Sequence, residues 1–458
     1  MEASVARKTA QPAFRRVLWE RPRDPALIGA AERVAAGESP HERLGAHRVP
    51  EGVRLHRHFG AVPIGAGSAA RAIAPATFDP RQADRFLVRA TIPVPASGEI
   101  PTALDGGAIH SDAEIGTTLT CGSSRAVGTT ADVRTRLGTD VLARNGLDGT
   151  GVAIAIVDGG ISLARLAARL GTPPLLDGDQ SWSPPTRVSA PGQHRVGHGT
   201  MCAFDALIAA PKATLLDIPA LGARSAGDHS AAGTIGIAIQ AYWFLITRWV
   251  LSGPPPGLGA LVVSNSWGIY HPSLDFPEGH PGRYIDNPDH PFRAYVRALT
   301  LAGTDVVFAG SNCGPECPAA PCLQRVQGAI MGANAYPEVL TLGACTVAGE
   351  RLGYSATGPS IAGMMPQKPD VTADSHFLGS QSRNRFTPDG GTSAACAVAA
   401  GCVAALRTRA KPATTSAAAM VQALRATALQ SGPPGWNAEL GYGILQPVEA
   451  GRSLGLIP

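Results

Sequence analysis

The sequence predicts an α/β fold built on a doubly wound parallel sheet, preceded by an N-terminal extension. From residue 149 onward, short apolar runs rich in β-branched residues alternate with stretches of helical length. The runs lack polar alternation, which is typical of strands buried on both faces of a parallel sheet. With 44% hydrophobic residues and 54 glycines among 458 residues, the chain can bury a large core and form many tight turns.

Each element of this fold has a local signal. Five apolar runs are predicted to be strands, at 151–157, 213–218, 260–263, 305–309 and 339–342. Four stretches have helical length and apolar spacing, at 200–210, 231–251, 292–302 and 394–409. In such a sheet the functional site forms at the carboxyl edge, where strands end and helices begin. We therefore expect the chemistry to come from side chains at these junctions.

The first third of the chain is less regular. Residues 1–83, rich in Pro, Arg and His, are predicted to form an arm with little core of its own, partly disordered or wrapping. Residues 84–130 contain strand-like runs at 85–93 and 107–119 and are predicted to form a small β element. The main domain is expected to cover residues 131–452, beginning with a helix over 131–145.

Charge and apolar patterning argue against several classes of partner. The net charge is +4 and arginines are spread without runs, so nucleic acid is not indicated. The first 30 residues contain no apolar stretch suited to a signal-peptide core, so a cytoplasmic location is expected. The most apolar segment, 234–251, contains Gln240 and Arg248 and is predicted to be a buried helix rather than a membrane span.

Two motifs suggest an acid–base pair. Asp158 ends the apolar run IAIV and is followed by two glycines, which suits a carboxylate that orients an imidazole. His198 lies between small residues in GHGT at the start of a helix, where both ring nitrogens are accessible to partners. Taken singly, each also fits an ordinary structural role, as an Asp that opens a loop and a structural His.

Two further motifs suggest a nucleophile and an oxyanion donor. Ser393 follows two glycines and a threonine at a helix N-terminus, where its hydroxyl is exposed to the positive end of the helix dipole. Asn312 follows the run 305–309, and its amide is suited to donating to a developing oxyanion. A helix cap and a turn asparagine are the plain alternatives. The four motifs gain specificity together, because they occur in the order Asp, His, Ser with matching strand and helix contexts.

These segments resemble the subtilase family. The resemblance extends from about residue 133 to 450, and its segments are GVAIAIVDGGI, GHGTMCA, VVSNSWG, AGSNCG, TLGACTVAGERLGYSATGP, KPDV and GGTSAAC. It implies a three-layer, subtilisin-like fold that hydrolyses peptide bonds in an intracellular protein or a precursor peptide. It implies no metal or redox cofactor for the chemistry and allows structural calcium. It says nothing of the oligomeric state.

The resemblance also implies a role for each motif residue. Ser393 would attack the scissile carbonyl, His198 would transfer the proton, and Asp158 would hold the imidazole. Asn312 would stabilise the oxyanion together with the Ser393 backbone N–H. The substrate-binding residues would be Ser266, Trp267 and Gly268, which match the strand that pairs with extended substrate, together with Gly310. A prodomain-like element at 84–130 would inhibit before cleavage, so trimming between residues 83 and 131 is expected.

Departures from the family pattern leave one alternative open. The family usually has a proline shortly after its serine, whereas this chain continues Ala394-Ala395-Cys396-Ala397. A weak or inactive relative that binds peptides or regulates is therefore the second hypothesis. An esterase of the α/β-hydrolase kind would need a Gly-x-Ser-x-Gly elbow and the order Ser, acid, His, and this order differs.

Two loops have no counterpart in the family pattern. Cys313, Cys317 and Cys322 follow the candidate oxyanion residue at irregular spacing, which favours a reduced, packed loop over zinc or a switchable disulfide. Like most of the eight cysteines, they are expected to be reduced. Residues 269–290 are predicted to form an Ω-like surface loop. The aspartates of this loop are Asp275, Asp286 and Asp289, which are more typical of a solvated loop than of a calcium site.

Overall fold

The N-terminal third forms an antiparallel sheet in a computed structural model that describes residues 13–35, 49–56, 58–64, 75–118, 120, 125–185, 187, 189–223, 231–430 and 432–458. Its elements are β1 (Ala13–Pro22), α1 (Pro25–Ala35), β2 (Arg54–Leu55), β3 (Ala61–Ile64), β4 (Arg85–Val94), β5 (Ala103–Leu104) and β6 (Gly107–Ser111). The strand order is β2-β4-β1-β6-β5, with β3 also paired to β4. The long strands β1 and β4 pair along their whole lengths, from Ala13 opposite Val94 to Pro22 opposite Arg85.

This sheet crosses the predicted boundary at residue 83. Strand β1 lies in the segment expected to have little core of its own, yet its residues Val17, Leu18 and Trp19 are fully buried. The reason is that β1 has no partner nearby in sequence and acquires its core only by pairing with β4, more than 60 residues away. Local sequence does not reveal such a pairing. The prediction of a disordered part falls mainly on residues outside the described ranges, including 1–12 and 36–48.

The remaining chain forms the α/β part of the molecule, and its first strand lies before residue 131, the predicted start of that domain. Its elements are β7 (Glu114–Gly116), α2 (Thr130–Leu137), α3 (Thr139–Arg144), β8 (Val152–Val157), α4 (Leu163–Leu170), α5 (His198–Ala206), β9 (Thr214–Ile218), β10 (Gly222–Ala223), β11 (Ala231–Thr234), α6 (Ile235–Leu245), β12 (Ala260–Asn265), α7 (Pro291–Leu301), β13 (Asp305–Ala309), β14 (Leu340–Cys345), β15 (Val371–Asp374), α8 (Gly391–Arg407), α9 (Ala417–Ala426) and α10 (Pro447–Ser453). Helix α6 continues into a π-helical turn at Ile246–Leu251.

Six parallel strands form the central layer, in the order β15-β14-β13-β12-β8-β9. Every residue of β8 and β12 is buried, as expected for strands covered on both faces. Alternate residues of β8 enter different cores: Ala153 and Ala155 face the core that contains α6 and α7, and Ile154 faces the core that contains α5 and α8. The fold is therefore the predicted three-layer, doubly wound α/β structure.

The segment 231–251 is a correction to the single helix expected there. Its first four residues form β11, which pairs with β10 on one side and β7 on the other. Ala-Ala-Gly-Thr has no strand signal of its own, and the partner strands determine its conformation. Within the described part of the chain, no helix combines the length and apolarity needed to cross a membrane.

The insertion 269–290 also differs from the predicted surface loop, because much of it is buried. Phe276, Tyr284 and His290 are nearly inaccessible to solvent. The loop packs on β6, where the Ser111 N–H donates to the Gly282 carbonyl over 2.8 Å. It therefore joins the N-terminal sheet to the α/β domain.

Candidate active site

The acid–base pair forms at the carboxyl edge of the sheet. Asp158 follows the last residue of β8, and His198 is the first residue of α5. The His198 Nδ1 atom lies 2.9 Å and 3.0 Å from the two Asp158 carboxylate oxygens. The Gly159 N–H donates to Asp158 Oδ1 over 2.6 Å and so fixes the carboxylate further. The contact between His198 and Asp158 sets the Nδ1–H tautomer of the imidazole and leaves its Nε2 as the basic nitrogen.

A neighbour that sequence reasoning missed is Cys202. It lies one turn after His198 on α5, and its Sγ is 3.7 Å from His198 Nδ1 and 3.8 Å from Asp158 Oδ2. Burial raises the pKa of this thiol well above its usual value, so it stays protonated beside the pair. The i, i+4 helical spacing between His198 and Cys202 was the signal that could have revealed it. Among the described residues, only Asp158, His198 and Cys202 form a group of metal-ligating type, with ligand atoms within 4.8 Å of one another.

Ser393 is the third residue of α8, the helix that packs against α5, which carries His198. Gly391, which opens this helix, has φ +79°, and a Cβ there would lie 3.0 Å from Asn312 Nδ2, so the turn before the serine requires glycine. The Ser393 hydroxyl donates to the Ser266 carbonyl over 3.3 Å, and the Ser266 hydroxyl donates to the Ser393 carbonyl over 3.0 Å. Among the described hydrogen bonds, none joins Ser393 to the His198 ring.

Asn312 follows β13 and is held from one side. Its Oδ1 accepts bonds from the backbone N–H and the hydroxyl of Thr392, at 2.8 Å and 3.0 Å. Its Nδ2 donates to the Thr118 hydroxyl over 3.4 Å. The preceding Ser311 has φ 87°, a conformation that non-glycine residues seldom adopt and that is typical of functional turns. The structure thus directs the amide donor of Asn312 away from Thr392 and towards Thr118.

The predicted substrate-binding residues contribute in different ways. Gly268 lies in the segment after β12, where its backbone forms an antiparallel bridge with Gly116. The Trp267 side chain instead packs in the core, edge-on to Phe308 with ring centroids 5.0 Å apart. Any contact of Trp267 with a substrate would therefore be made by its backbone. Gly310 donates its N–H to the Leu342 carbonyl over 2.8 Å and extends the sheet towards Asn312.

A segment of the chain itself lies in the groove between β11 and Gly268. Residues 114–118, here named the groove segment, include β7, which pairs with β11 on one side. On the other side the Gly116 N–H donates to the Gly268 carbonyl over 2.9 Å, and the Gly268 N–H donates back over 3.0 Å. The predicted run 107–119 is therefore divided between two sheets. Extended substrates bind by this kind of strand addition, so the segment occupies the position expected of a substrate.

The loop after Asn312 is oxidised, which corrects the expectation of reduced thiols. Cys313 and Cys322 form a disulfide, and Cys317 is also disulfide-bonded. Cys202, Cys345, Cys396 and Cys402 are free and buried. No pairing could be predicted, because short and irregular spacing does not show which β-carbons approach each other. The Cys313 Sγ lies 3.8 Å from the Tyr270 carbonyl oxygen and the Cys322 Sγ 3.8 Å from the Asn312 carbonyl oxygen, so the bond braces both sides of the groove.

Two carboxylates of the insertion bond to groups of the insertion itself. Both oxygens of Asp275 accept backbone N–H bonds, from Phe276, Tyr284 and Ile285 at 2.7 to 2.8 Å. The Asp286 carboxylate pairs with Arg283. Asp275 is thus a buried residue that bonds the backbone of the insertion together, rather than a solvated one.

Comparison with known proteins assigns the chain to a family. Among curated proteins no match was found. A solved structure, the crystal structure of MycP1 with the N-terminal propeptide removed, is similar with 20% sequence identity and a TM-score of 0.48, over 70% of this chain and 96% of that one. The model of the subtilase family, Peptidase_S8, matches residues 149–443, which is more than half of the chain and includes all four motif residues. The chain therefore belongs to the subtilase family of serine peptidases.

Proposed function

We propose that the protein is a serine endopeptidase in which Ser393 is the nucleophile, His198 the general base and Asp158 the residue that orients the imidazole. The observation that carries the proposal is the Asp158–His198 pair, because it leaves His198 Nε2 as the nitrogen available to accept a proton. Proton transfer requires the Ser393 hydroxyl to rotate from the Ser266 carbonyl to this nitrogen. Hydrogen bonds of this kind are often unformed before substrate binds.

The transition state would be stabilised by Asn312. When the nucleophile adds to the carbonyl carbon, negative charge develops on the oxygen, and the Asn312 Nδ2 and Ser393 backbone N–H would donate to it. The amide is already held by Thr392, so little reorganisation is needed. The cysteine beside the pair does not compete, because its burial keeps it protonated.

The groove supports an endopeptidase rather than an exopeptidase. The segment 114–118 occupies the side lined by β11 and Gly268. Beyond it a cavity of about 600 Å³ opens beside His198, lined also by Thr120, His376 and Gly390. Thr118, the last residue of the groove segment, and Thr120 both line this cavity, so the chain continues past the groove segment into it. A site that holds residues on both sides of a bond accepts the interior of a chain. The substrate is expected to be a protein or peptide in extended conformation.

Labelling with a fluorophosphonate tests the proposal. Wild type should be labelled, Ser393→Ala should not, and Ser252→Ala, a surface serine bonded to the Thr247 carbonyl, should label like wild type. Thr117→Pro removes the N–H that donates to Ala231 and should label faster, because the groove segment is loosened. If neither wild type nor Thr117→Pro is labelled, the proposal fails.

The alternative is a subtilase-fold protein that binds peptides without cleaving them. It is favoured by the Ser393 hydroxyl, which bonds to Ser266 rather than to the base. Under this alternative the Thr117→Pro variant would bind extended peptides while remaining unlabelled.

We propose that the chemistry needs no metal, since each role is filled by a side chain. Activity should then survive a chelator. The cytoplasmic location remains a prediction, and the Cys313–Cys322 disulfide argues against it, since such bonds persist mainly in oxidising compartments. Cell fractionation decides between the cytoplasm and an oxidising compartment.

A further inference from the structure

The groove segment is held by more than the main-chain ladder that any extended peptide could form. Ile115 is 1% exposed and lies in the apolar core shared by the N-terminal sheet and α6. Ile115 pairs with Gly233 of β11, which presents no side chain opposite it. The site at this position is therefore a closed apolar one, and a charged side chain there would lose its hydration.

Gly116 has no room for any side chain. A Cβ on this residue would lie 2.6 Å from the Ala231 carbonyl oxygen, which is backbone and cannot swing aside. The Gly116 carbonyl accepts two bonds, from the Gly268 N–H at 3.0 Å and from the Tyr270 hydroxyl at 2.9 Å. Tyr270 is itself buried, so its hydroxyl has a fixed place in the groove wall.

Thr117 uses its side chain as well as its backbone. Its N–H donates to the Ala231 carbonyl over 2.8 Å, and its hydroxyl accepts the Ala231 N–H over 2.9 Å. One residue therefore satisfies both polar backbone groups of Ala231. An apolar side chain of the same shape would leave the buried N–H of Ala231 without this acceptor.

Thr118 lies beside the reacting groups. Continuing the antiparallel register from Gly116 opposite Gly268 brings Thr118 opposite Ser266, whose carbonyl accepts the Ser393 hydroxyl. Its own hydroxyl is 3.4 Å from Asn312 Nδ2. Thr118 is thus the residue of the groove segment that contacts the proposed oxyanion donor, and by register it lies opposite the residue that bonds Ser393.

From the contacts at these four positions we propose that the enzyme recognises peptides with an apolar residue, glycine, a hydroxyl residue and a small hydroxyl residue, and cleaves after the last. Residues 115–118, Ile-Gly-Thr-Thr, are the chain's own copy of this motif. The Ala231 carbonyl excludes a side chain at the glycine position, and Tyr270 is the positioning residue that holds the carbonyl of that glycine. The inference rests on the proposed function and adds a substrate class to it. Hydrolysis breaks the C–N bond after Thr118 and adds one water, giving a carboxylate on Thr118 and an amine on Leu119, which is outside the described residues.

The test uses the full-length chain and follows self-cleavage by intact mass and N-terminal sequencing. Wild type should yield a fragment that begins at Leu119, and Ser393→Ala should stay intact. Gly116→Ala should slow cleavage at least tenfold. The matched control is Gly178→Ala, at a glycine whose Cβ would meet nothing within 4 Å, and it should cleave like wild type.

Conservative pairs separate recognition from folding. Thr117→Ser should cleave like wild type and Thr117→Val about 2- to 10-fold more slowly, as expected for one hydrogen bond. Tyr270→Phe, which loses only the hydroxyl bond to Gly116, should be slowed by a similar factor. Thermal midpoints on the Ser393→Ala background show whether Gly116→Ala folds. If it does not, the Thr117 pair decides.

Each outcome distinguishes this inference from the proposed function. Cleavage at another bond, or equal rates for Thr117→Val and Thr117→Ser, overturns the motif. A wild type that is labelled by fluorophosphonate but is not cut after Thr118 also overturns it, while the proposed function stands. A wild type that is neither labelled nor cut would contradict both the substrate motif and the proposed function.

Discussion

Asn312 Oδ1 accepts two hydrogen bonds from Thr392, the residue immediately before Ser393. The side chain assigned to the oxyanion is therefore positioned by the same turn that carries the proposed nucleophile. A change at either residue is expected to move the amide donor and the serine together.

Asn312→Ala is expected to reduce the rate of fluorophosphonate labelling strongly. Removal of an oxyanion donor costs about 10²–10³ in kcat, a magnitude measured in subtilisin, a member of this family. Thr392→Val keeps the backbone bond and loses the hydroxyl bond, so a smaller loss of about 2- to 10-fold is expected. Equal losses in the two variants would contradict the positioning role of Thr392.

Asp158→Asn is expected to leave the fold intact and reduce labelling by about 10⁴, because the wrong His198 tautomer is favoured. Asp148→Asn is the control, since Asp148 pairs with Lys212 near the surface. Labelling kinetics together with the thermal midpoint check the expectation. A loss that follows only the midpoint would show that Asp158 has a structural role alone.

Reduction of the Cys313–Cys322 disulfide is expected to lower turnover, because the bond contacts Asn312, the proposed oxyanion donor. The Cys313→Ser/Cys322→Ser double variant should have the lower rate already and should no longer respond to this reduction. Rates with and without reductant, measured on both proteins, provide the test. Identical rates for wild type in both conditions would end the idea.

Arg407→Ala is expected to destabilise α8, the helix that carries the proposed nucleophile. Arg407 on α8 is fully buried and donates to both carboxylate oxygens of Asp305, at 2.5 and 2.7 Å. Breaking one side of a buried pair costs about 3–5 kcal/mol, because a charge is left without its partner. Denaturant unfolding should show a lower midpoint, whereas the exposed Arg409→Ala should change it little. Similar midpoints for both variants would contradict the expectation.

Asp217 is expected to make the protein less stable as pH rises from about 4 to above 6. Burial raises the pKa of this carboxyl from 3.8 to about 6. The folded state then binds the proton of Asp217 more tightly than the unfolded state does. The stabilisation that this proton contributes is complete below pH 3.8, the ordinary pKa, and is lost as pH rises through about 6, the pKa in the folded protein. Asp217→Asn should flatten this part of the profile. Burial also raises the pKa of Asp374 to about 6, so a residual slope should remain.

The motif residues and the central strands could be predicted because their signals are local. The predicted strand 305–309 is β13 as observed, and the predicted helix 292–302 is α7 shifted by one residue. Asp158 and His198 were placed by the strand end and the helix start, and they do meet. Such signals depend on apolar runs and turn residues a few positions apart.

What local sequence could not predict depends on distant partners. Strand β7 is three residues long, and it is a strand because β11 and Gly268 lie on either side of it. Strand β1 likewise needs β4 to form a core. The disulfide depends on how the loop after Asn312 folds back on itself. Each case requires knowledge of contacts far apart in sequence, which periodicity does not contain.

The N-terminal sheet and the α/β domain share one apolar core, in which Trp243 donates to the Phe78 carbonyl and Tyr295 to the Pro63 carbonyl. Hydrolysis beyond Thr118 would remove a covalent link without removing these contacts. The two fragments should then co-elute as a nicked complex and separate only in denaturant. Activation would then require only the departure of β7 from the groove, while the N-terminal sheet stays bound to the α/β domain.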